Sequence, residues 1–131
     1  MLFTKESDYA IRIVRALKSG EKRNIREICE LEQIPEAFAY KITRKLNRAG
    51  LVSIRRGAGG GYVLGRPIHD ITLYDVITAI EPDFAVLECI HHFCDRQERK
   101  ECCKVHHEML KIQNTVEALL KARSLDDILE K

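Results

Sequence analysis

Residues 35 to 50 restrict the fold more than any other stretch. Ala39, Ile42, Leu46 and Ala49 recur at spacings of three, four and three, the period of one face of an α-helix, so that face is expected to be buried. Lys41, Arg44, Lys45 and Arg48 fall on the opposite side. Four cations projecting together from an amphipathic rod suit a surface lined with phosphates. Pro35 fits a first helical turn, where its missing N–H costs no hydrogen bond, and Gly50 stands where a left-handed residue closes a helix.

Immediately after this rod, Leu51-Val52-Ser53-Ile54 is expected to form a strand, Arg55-Arg56-Gly57-Ala58-Gly59-Gly60-Gly61 a turn, and Tyr62-Val63-Leu64 the returning strand. Glycines permit positive φ and let backbone approach another surface, while Arg55 and Arg56 put charge at the tip. Alone, a basic helix face is ordinarily a solvated surface and a glycine run a loose turn. In direct succession they form the pattern of a winged helix-turn-helix, with the hairpin at phosphates or the minor groove.

The flanking segments agree with that arrangement. Ala10, Ile13, Val14 and Leu17 mark a core helix ending near Gly20, and Asn24 with Glu27 forms a capping box that opens a second helix through Ile25, Ile28, Cys29 and Leu31. Cys29 lies on the apolar stripe and reads as a small buried hydrophobe. A turn at Gln33 and Ile34 leads into the basic helix, and two helices joined this way are the sequence form of a helix-turn-helix. Gly65-Arg66-Pro67 closes the wing, and Thr72 with Asp75 caps a helix carrying Leu73, Val76, Ile77 and Ile80 up to Pro82. From about Cys103 to Arg123 a long helix places Met109, Ile112, Val116, Leu119 and Leu120 on a narrow apolar seam. Such a seam either pairs with its copy in a homodimer or docks on its own domain, and both remain open here. Ser124 recaps a last short helix. The fold class is therefore mainly α with a small β-hairpin: a winged helix-turn-helix DNA-binding domain over 1–82, a Cys/His-rich loop over 83–104, and a dimerisation helix with a short terminal helix over 105–131.

A chain of 131 residues can build one compact domain, or one domain with an extension. The net charge of +2 hides an asymmetry, since residues 1–66 carry +7 and residues 67–131 carry −5. Any polyanion-binding surface therefore belongs to the first half. The absence of a long apolar run and of a signal-peptide core points to a cytoplasmic protein. Four of the five cysteines fall between positions 89 and 103, and in a reducing compartment such clustering favours metal or redox chemistry over structural disulfides. Between Cys89 and His107 there are eight soft or borderline ligands in 19 positions: Cys89, His91, His92, Cys94, Cys102, Cys103, His106 and His107. Thiolates select zinc, copper(I) or iron-sulfur clusters, and imidazole suits zinc and iron. Cys89-x4-Cys94 followed by Cys103-x2-His106 is a workable zinc spacing. His91 and His92 read as solvent-facing residues or as hydrogen-bond partners of ligands. The chain has no Cys-x2-Cys redox pair, phosphate-binding glycine motif or carboxylate pair, so it reads as a non-enzyme.

Arg56-Gly57-Ala58-Gly59-Gly60-Gly61-Tyr62 and the helix before it resemble the IscR-like and NsrR-like family of bacterial winged-helix transcriptional regulators. So do the opening Leu2-Phe3-Thr4-Lys5 and Asp8-Tyr9-Ala10-Ile11-Arg12, the run Ile71-Thr72-Leu73-Tyr74-Asp75-Val76-Ile77, and the closing Ser124-Leu125-Asp126-Asp127-Ile128-Leu129. The resemblance implies a homodimer that binds double-stranded promoter DNA, as a repressor, and holds an iron-sulfur cluster, of 2Fe-2S type, on three cysteines and one other ligand. Aligned from Ser124-Leu125, the family pattern implies Cys89, Cys94, Cys103 and His106, with Cys102 spare. The eight residues between Cys94 and Cys103 exceed the family's usual gap, which leaves Cys102 and Cys103 as competitors for the third place. For the fourth ligand His106 comes first, then Asp8, which matches an acidic residue that NsrR-like relatives supply from the partner subunit, then His107. Asp8 equally suits capping of the first helix. The implied DNA-contacting set is Tyr40, Lys41, Arg44, Lys45, Arg48, Arg55, Arg56, Gly60 and Tyr62. Tyr40 and Lys41 stand where relatives carry a base-reading glutamate or glutamine, so the operator need not match a relative's. The alternative is a cluster-free thiol-redox or zinc-bound regulator acting partly through a protein partner.

Overall fold

The computed structural model describes residues 3–87, 90 and 103–130. Helix α1 (Lys5–Ala16) begins at Thr4, whose hydroxyl accepts the Ser7 N–H at 3.2 Å. It ends at Ala16, short of the expected Gly20, which instead closes the following turn at φ +82°. Helix α2 (Ile25–Glu32) opens on the capping box: Asn24 Oδ1 accepts the Glu27 N–H at 2.9 Å, and Glu27 returns the bond at 3.3 Å. The chain then turns through Gln33, a non-glycine at φ +56°, and buries Ile34.

Helix α3 (Glu36–Arg48) uses Pro35 as its N-cap residue, and Gly50 follows the helix at φ +79°. Ala39, Ile42 and Leu46 are fully buried, as their spacing requires. Ala49 is not: it lies past the last turn and is exposed. Thr43 takes the fourth inward place instead, with its hydroxyl donating to the Tyr40 carbonyl at 3.0 Å. Strands β1 (Val52–Arg55) and β2 (Gly61–Leu64) pair antiparallel with Val52 opposite Leu64 and Arg55 opposite Gly61. Arg55 and Gly61 thus belong to the ladder, and the turn proper is one residue shorter at each end than expected. Arg23 adds an outer bridge to this ribbon, exchanging backbone bonds with Tyr62 at 3.0 and 2.7 Å.

A 3₁₀ turn at Ile68–Asp70 leads to α4 (Leu73–Ile80), capped reciprocally by Thr72 and Asp75. Helix α5 (Lys104–Lys121) and the short α6 (Leu125–Leu129) complete the described elements. One core joins Ile13 of α1 and Leu17 at its C-cap, Ile28 of α2, Ile42 and Leu46 of α3, Val52 of β1, Val76 of α4 and Leu125 of α6. The Leu125 N–H donates to the Ile71 carbonyl at 2.7 Å, so the end of the chain returns to the foot of the wing domain.

Helix α5 packs on α4, and the Lys121 ammonium lies 4.2 Å from the Tyr74 ring centre. Its buried residues are polar, His106 and Gln113, whereas Val105, Ile112 and Leu119 are exposed, Leu119 to 71%. Residues 106, 113 and 120 share one side of a 3.6-residue helix and 105, 112 and 119 the next. Of the expected seam only Leu120 therefore turns into a groove of its own protomer, lined also by Phe3, Ile11, Leu73 and Ile77. Among the described residues no helix is long and apolar enough to cross a membrane.

Candidate nucleic-acid interface

Three local contacts fix the wing against α3. The Asn47 amide donates to the Val52 carbonyl at 2.9 Å, the Leu51 N–H to the Leu46 carbonyl at 3.0 Å, and the Gly65 N–H to the Leu51 carbonyl at 2.9 Å. Contact at the wing base is so close that a Cβ on Gly65 would lie 2.2 Å from the Gly50 carbonyl oxygen, which only glycine tolerates. At the tip, Gly57 and Gly59 take φ of +94° and +72°. Arg55 and Arg56 are exposed there, and the Lys22 amino group is 3.7 Å from where a Cβ on Gly59 would sit, adding a third cation. Gly60 and Tyr62 are half-buried, and Tyr62 packs against the core while its backbone bridges Arg23.

The basic face of α3 points outward, yet its four cations are not equivalent. Arg44 and Arg48 are exposed and make no ion pair among the described residues. Lys41 and Lys45 both reach Glu6 of α1, at 2.8 Å to Oε1 and 3.0 Å to Oε2. Hydrogen bonds from Lys41, then from Lys45, hold the Glu6 carboxyl below the usual carboxylate range. Lys45 is half-buried at the edge of the face, and Tyr40 is exposed. On the inner edge Phe38 meets the Tyr9 ring at 5.7 Å.

Of the sulfur and imidazole ligands, Cys103 and His106 fall among the described residues, whereas Cys89, Cys94, Cys102, His91 and His92 lie outside them. Cys103 is the N-cap residue of α5, its half-buried Sγ accepting the His106 N–H at 3.4 Å. His106 is buried one turn further on, and His107 beside it is exposed. No group of three potential ligands gathers among the described residues. Asp8 does not cap α1; that role belongs to Thr4. Its carboxylate instead takes two bonds from Arg12 at 3.2 Å each, and Arg12 also donates to the Glu32 carbonyl at 3.1 Å. Cys29 is half-buried, and burial first, then Glu36, pushes its thiol up, away from the thiolate that reacts.

Gln113 was not legible as a site residue. It is 2% exposed, accepts the Val86 N–H at 2.7 Å and donates to the Phe84 carbonyl at 3.1 Å. It thereby pins the chain just before the cysteine-rich segment to α5, the helix that Cys103 caps where that segment ends. Phe84 also stacks on Phe3, with ring centres 5.5 Å apart, beside the start of α1. A polar residue seven positions after His106, on the side away from the apolar seam, was the available signal for Gln113. Asn47, Glu6 and Lys22 carried none, because nothing local says which element faces them.

A short helix turned into a second helix with an outward basic face, locked to an arginine-bearing glycine ribbon, defines a winged helix-turn-helix DNA-binding protein. The chain belongs to the Rrf2 family, described as iron-dependent transcriptional regulators, whose sequence model matches residues 3–131. It is 34% identical over 132 residues to protein aau3 of Rhizobium meliloti, covering 99% of this chain and 86% of that protein. To the HTH-type transcriptional regulator NsrR of Oceanobacillus iheyensis it is 30% identical over 133 residues, covering 99% and 90%. Among solved structures, IscR of T. potens superposes with a TM-score of 0.68 at 25% identity over 97% of this chain and 85% of that one. CymR, the global cysteine regulator of B. subtilis, superposes with a TM-score of 0.73 at 24% identity over 96% and 94%, a likeness of fold.

Proposed function

We propose that this regulator binds promoter DNA as a homodimeric repressor through α3 and the wing, with its affinity set by an iron-sulfur cluster. The observation that carries the DNA half is the outward cationic face of α3, tied through Asn47 to the ribbon that presents Arg55 and Arg56. Arg44, Arg48, Arg55 and Arg56 contact phosphates, Tyr40 and Lys41 face base edges, Lys45 lies at the rim, and Gly60 lets the ribbon backbone approach the duplex while Tyr62 seats it. The exposed residues Val105, Ile112 and Leu119, with the half-buried Met109 and Val116 between them, alternate at spacings of four and three. That is the repeat of a helix pair, so α5 serves as the dimer helix.

Cys89, Cys94 and Cys103 would hold the cluster, of 2Fe-2S type, with His106 ahead of Asp8 and His107 as fourth ligand. A soft thiol at the start of α5 with a buried imidazole one turn on fits a thiolate-bound iron centre. When bound, the group supplies iron that reacts with oxidants and nitric oxide. The chain's own part is to begin and end the cysteine-rich segment on α5, at Gln113 and at Cys103, so that a change there is felt by the dimer helix. Residues 1–82 then bind DNA, 83–104 sense, and 105–131 join the two copies. The family's description as iron-dependent supports the reading. Iron and acid-labile sulfide should be measured on protein purified without oxygen, with DNA affinity compared for loaded and cluster-stripped samples. Iron and sulfide in equal amounts, with a change in affinity on stripping, is the expected result. Zinc without sulfide would favour the zinc-bound alternative, and affinity that follows thiol oxidation in iron-free protein the thiol-redox one; affinity indifferent to Cys89→Ala, Cys94→Ala and Cys103→Ala together would remove the sensor half of the reading.

A further inference from the structure

We propose that Glu6 restrains sequence-independent DNA binding: its carboxylate occupies Lys41 and Lys45 as an internal stand-in for a DNA phosphate. The proposal rests on the assignment of α3 as the DNA-binding helix. Each carboxylate oxygen is taken by a different lysine, at 2.8 and 3.0 Å, and the two lysines stand one turn apart on α3. These are the distances at which an ammonium would bind a phosphate oxygen. Arg44 and Arg48, on the same helix, have no such partner among the described residues. Among the described residues, helix α3 therefore carries two cations without an ion pair and two that share the single negative charge of Glu6.

The distinction matters because non-specific affinity comes from releasing the counterions that DNA condenses, and each neutralised phosphate adds about 0.9 to the salt slope. When both lysines leave Glu6 for phosphates they expose one carboxylate, and that carboxylate gathers one cation from solution. Uptake at the protein offsets half of the release at the DNA. Lys41 and Lys45 together then count as about one cation on an arbitrary sequence, whereas Arg44 and Arg48 count in full. A plain tie between α1 and α3 would involve the same three side chains but would leave the salt slope alone.

The test compares wild type with Glu6→Gln, prepared and assayed in parallel without oxygen, for binding a random-sequence duplex at several KCl concentrations. Glu6→Gln should bind on the order of tenfold tighter at low salt, with a slope steeper by about 0.9, because one counterion-gathering carboxylate is removed. Lys41→Gln and Lys45→Gln together should lower the slope about as much as Arg44→Gln alone, because Glu6 cancels one of the two lysine charges, and should abolish the Glu6→Gln gain. Arg44→Gln should weaken binding in the wild-type and Glu6→Gln backgrounds alike. Unchanged Glu6→Gln binding beside a weakened Arg44→Gln would overturn the proposal alone. So would a slope loss for Lys41→Gln with Lys45→Gln about twice that of Arg44→Gln, a comparison that needs no Glu6 variant to fold. Binding indifferent to Arg44→Gln would overturn the DNA assignment of α3, and the proposal with it.

Discussion

Replacing Gln113 by Leu keeps most of the side-chain volume and removes both of its bonds to the segment before the cysteines. The Val86 N–H and the Phe84 carbonyl, paired with Gln113 at 2.7 and 3.1 Å, lose those bonds. Losing a hydrogen bond to a buried polar group costs about 1–3 kcal/mol. Val86 is half-buried and reaches water with a small movement, so its share falls at the low end. The two together should cost about 2–4 kcal/mol, a fall in Tm on the order of 10 °C for a domain of this size. Gln113→Glu should not rescue: it keeps an acceptor for Val86, but it loses the donor to Phe84 and brings a second carboxylate to Glu117, whose Oε1 the amide now contacts at 3.3 Å. Circular-dichroism melts at one protein concentration, with hydrogen exchange of the Val86 amide, read both consequences. A Tm within about 2 °C of wild type and an unchanged Val86 exchange rate would refute the reasoning, since a 2–4 kcal/mol loss moves Tm further than that.

Gly65→Ala should destabilise by about 1–3 kcal/mol in urea, because its Cβ would meet the Gly50 carbonyl oxygen at 2.2 Å and both groups are backbone; a neutral result would mean that the wing base can separate from α3. Leu119→Glu, at a position 71% exposed, should leave the secondary structure intact and convert the dimer to monomer in light scattering, and an unchanged dimer would remove α5 from the interface. The depressed Glu6 carboxyl stabilises the fold fully above its ordinary value of 4.5, and that contribution is lost as pH falls through the lower folded value. Because the pairs are partly solvated they contribute about 0.2–1 kcal/mol in all. Glu6→Gln should therefore flatten the stability profile below about pH 4.5, and an identical slope in both proteins would contradict the assignment.

The sequence carried the elements whose signals are local. Ala39, Ile42 and Leu46 were readable because helical burial repeats every three or four residues, and Asn24, Thr72 and Ser124 because a cap is made within three positions of itself. Ala49 failed where periodicity is weakest, at a helix end that Gly50 had already turned. Helix α5 was legible as a helix but not in its orientation: a seam of Met109, Ile112, Val116, Leu119 and Leu120 looks the same whether it meets its own domain or a second copy, and the helix instead turns His106 and Gln113 inward and leaves Ile112 and Leu119 exposed. The contacts that were hidden join residues far apart in the chain, namely Glu6 to Lys41 and Lys45, Arg23 to Tyr62, and Gln113 to Phe84 and Val86. Pairing of that kind depends on how α1, the wing and α5 are placed in space, which no spacing rule encodes.

The central claim is that one surface, the outer face of α3 with the tip of the wing, receives DNA. Backbone amide resonances followed during titration with a short duplex test it most directly. Shifts should concentrate at Tyr40, Lys41, Arg44 and Arg48 and across Arg55 to Tyr62, leaving α6 and the inward side of α5 unmoved. Shifts clustered on α5 or α6, with the α3 face silent, would contradict it.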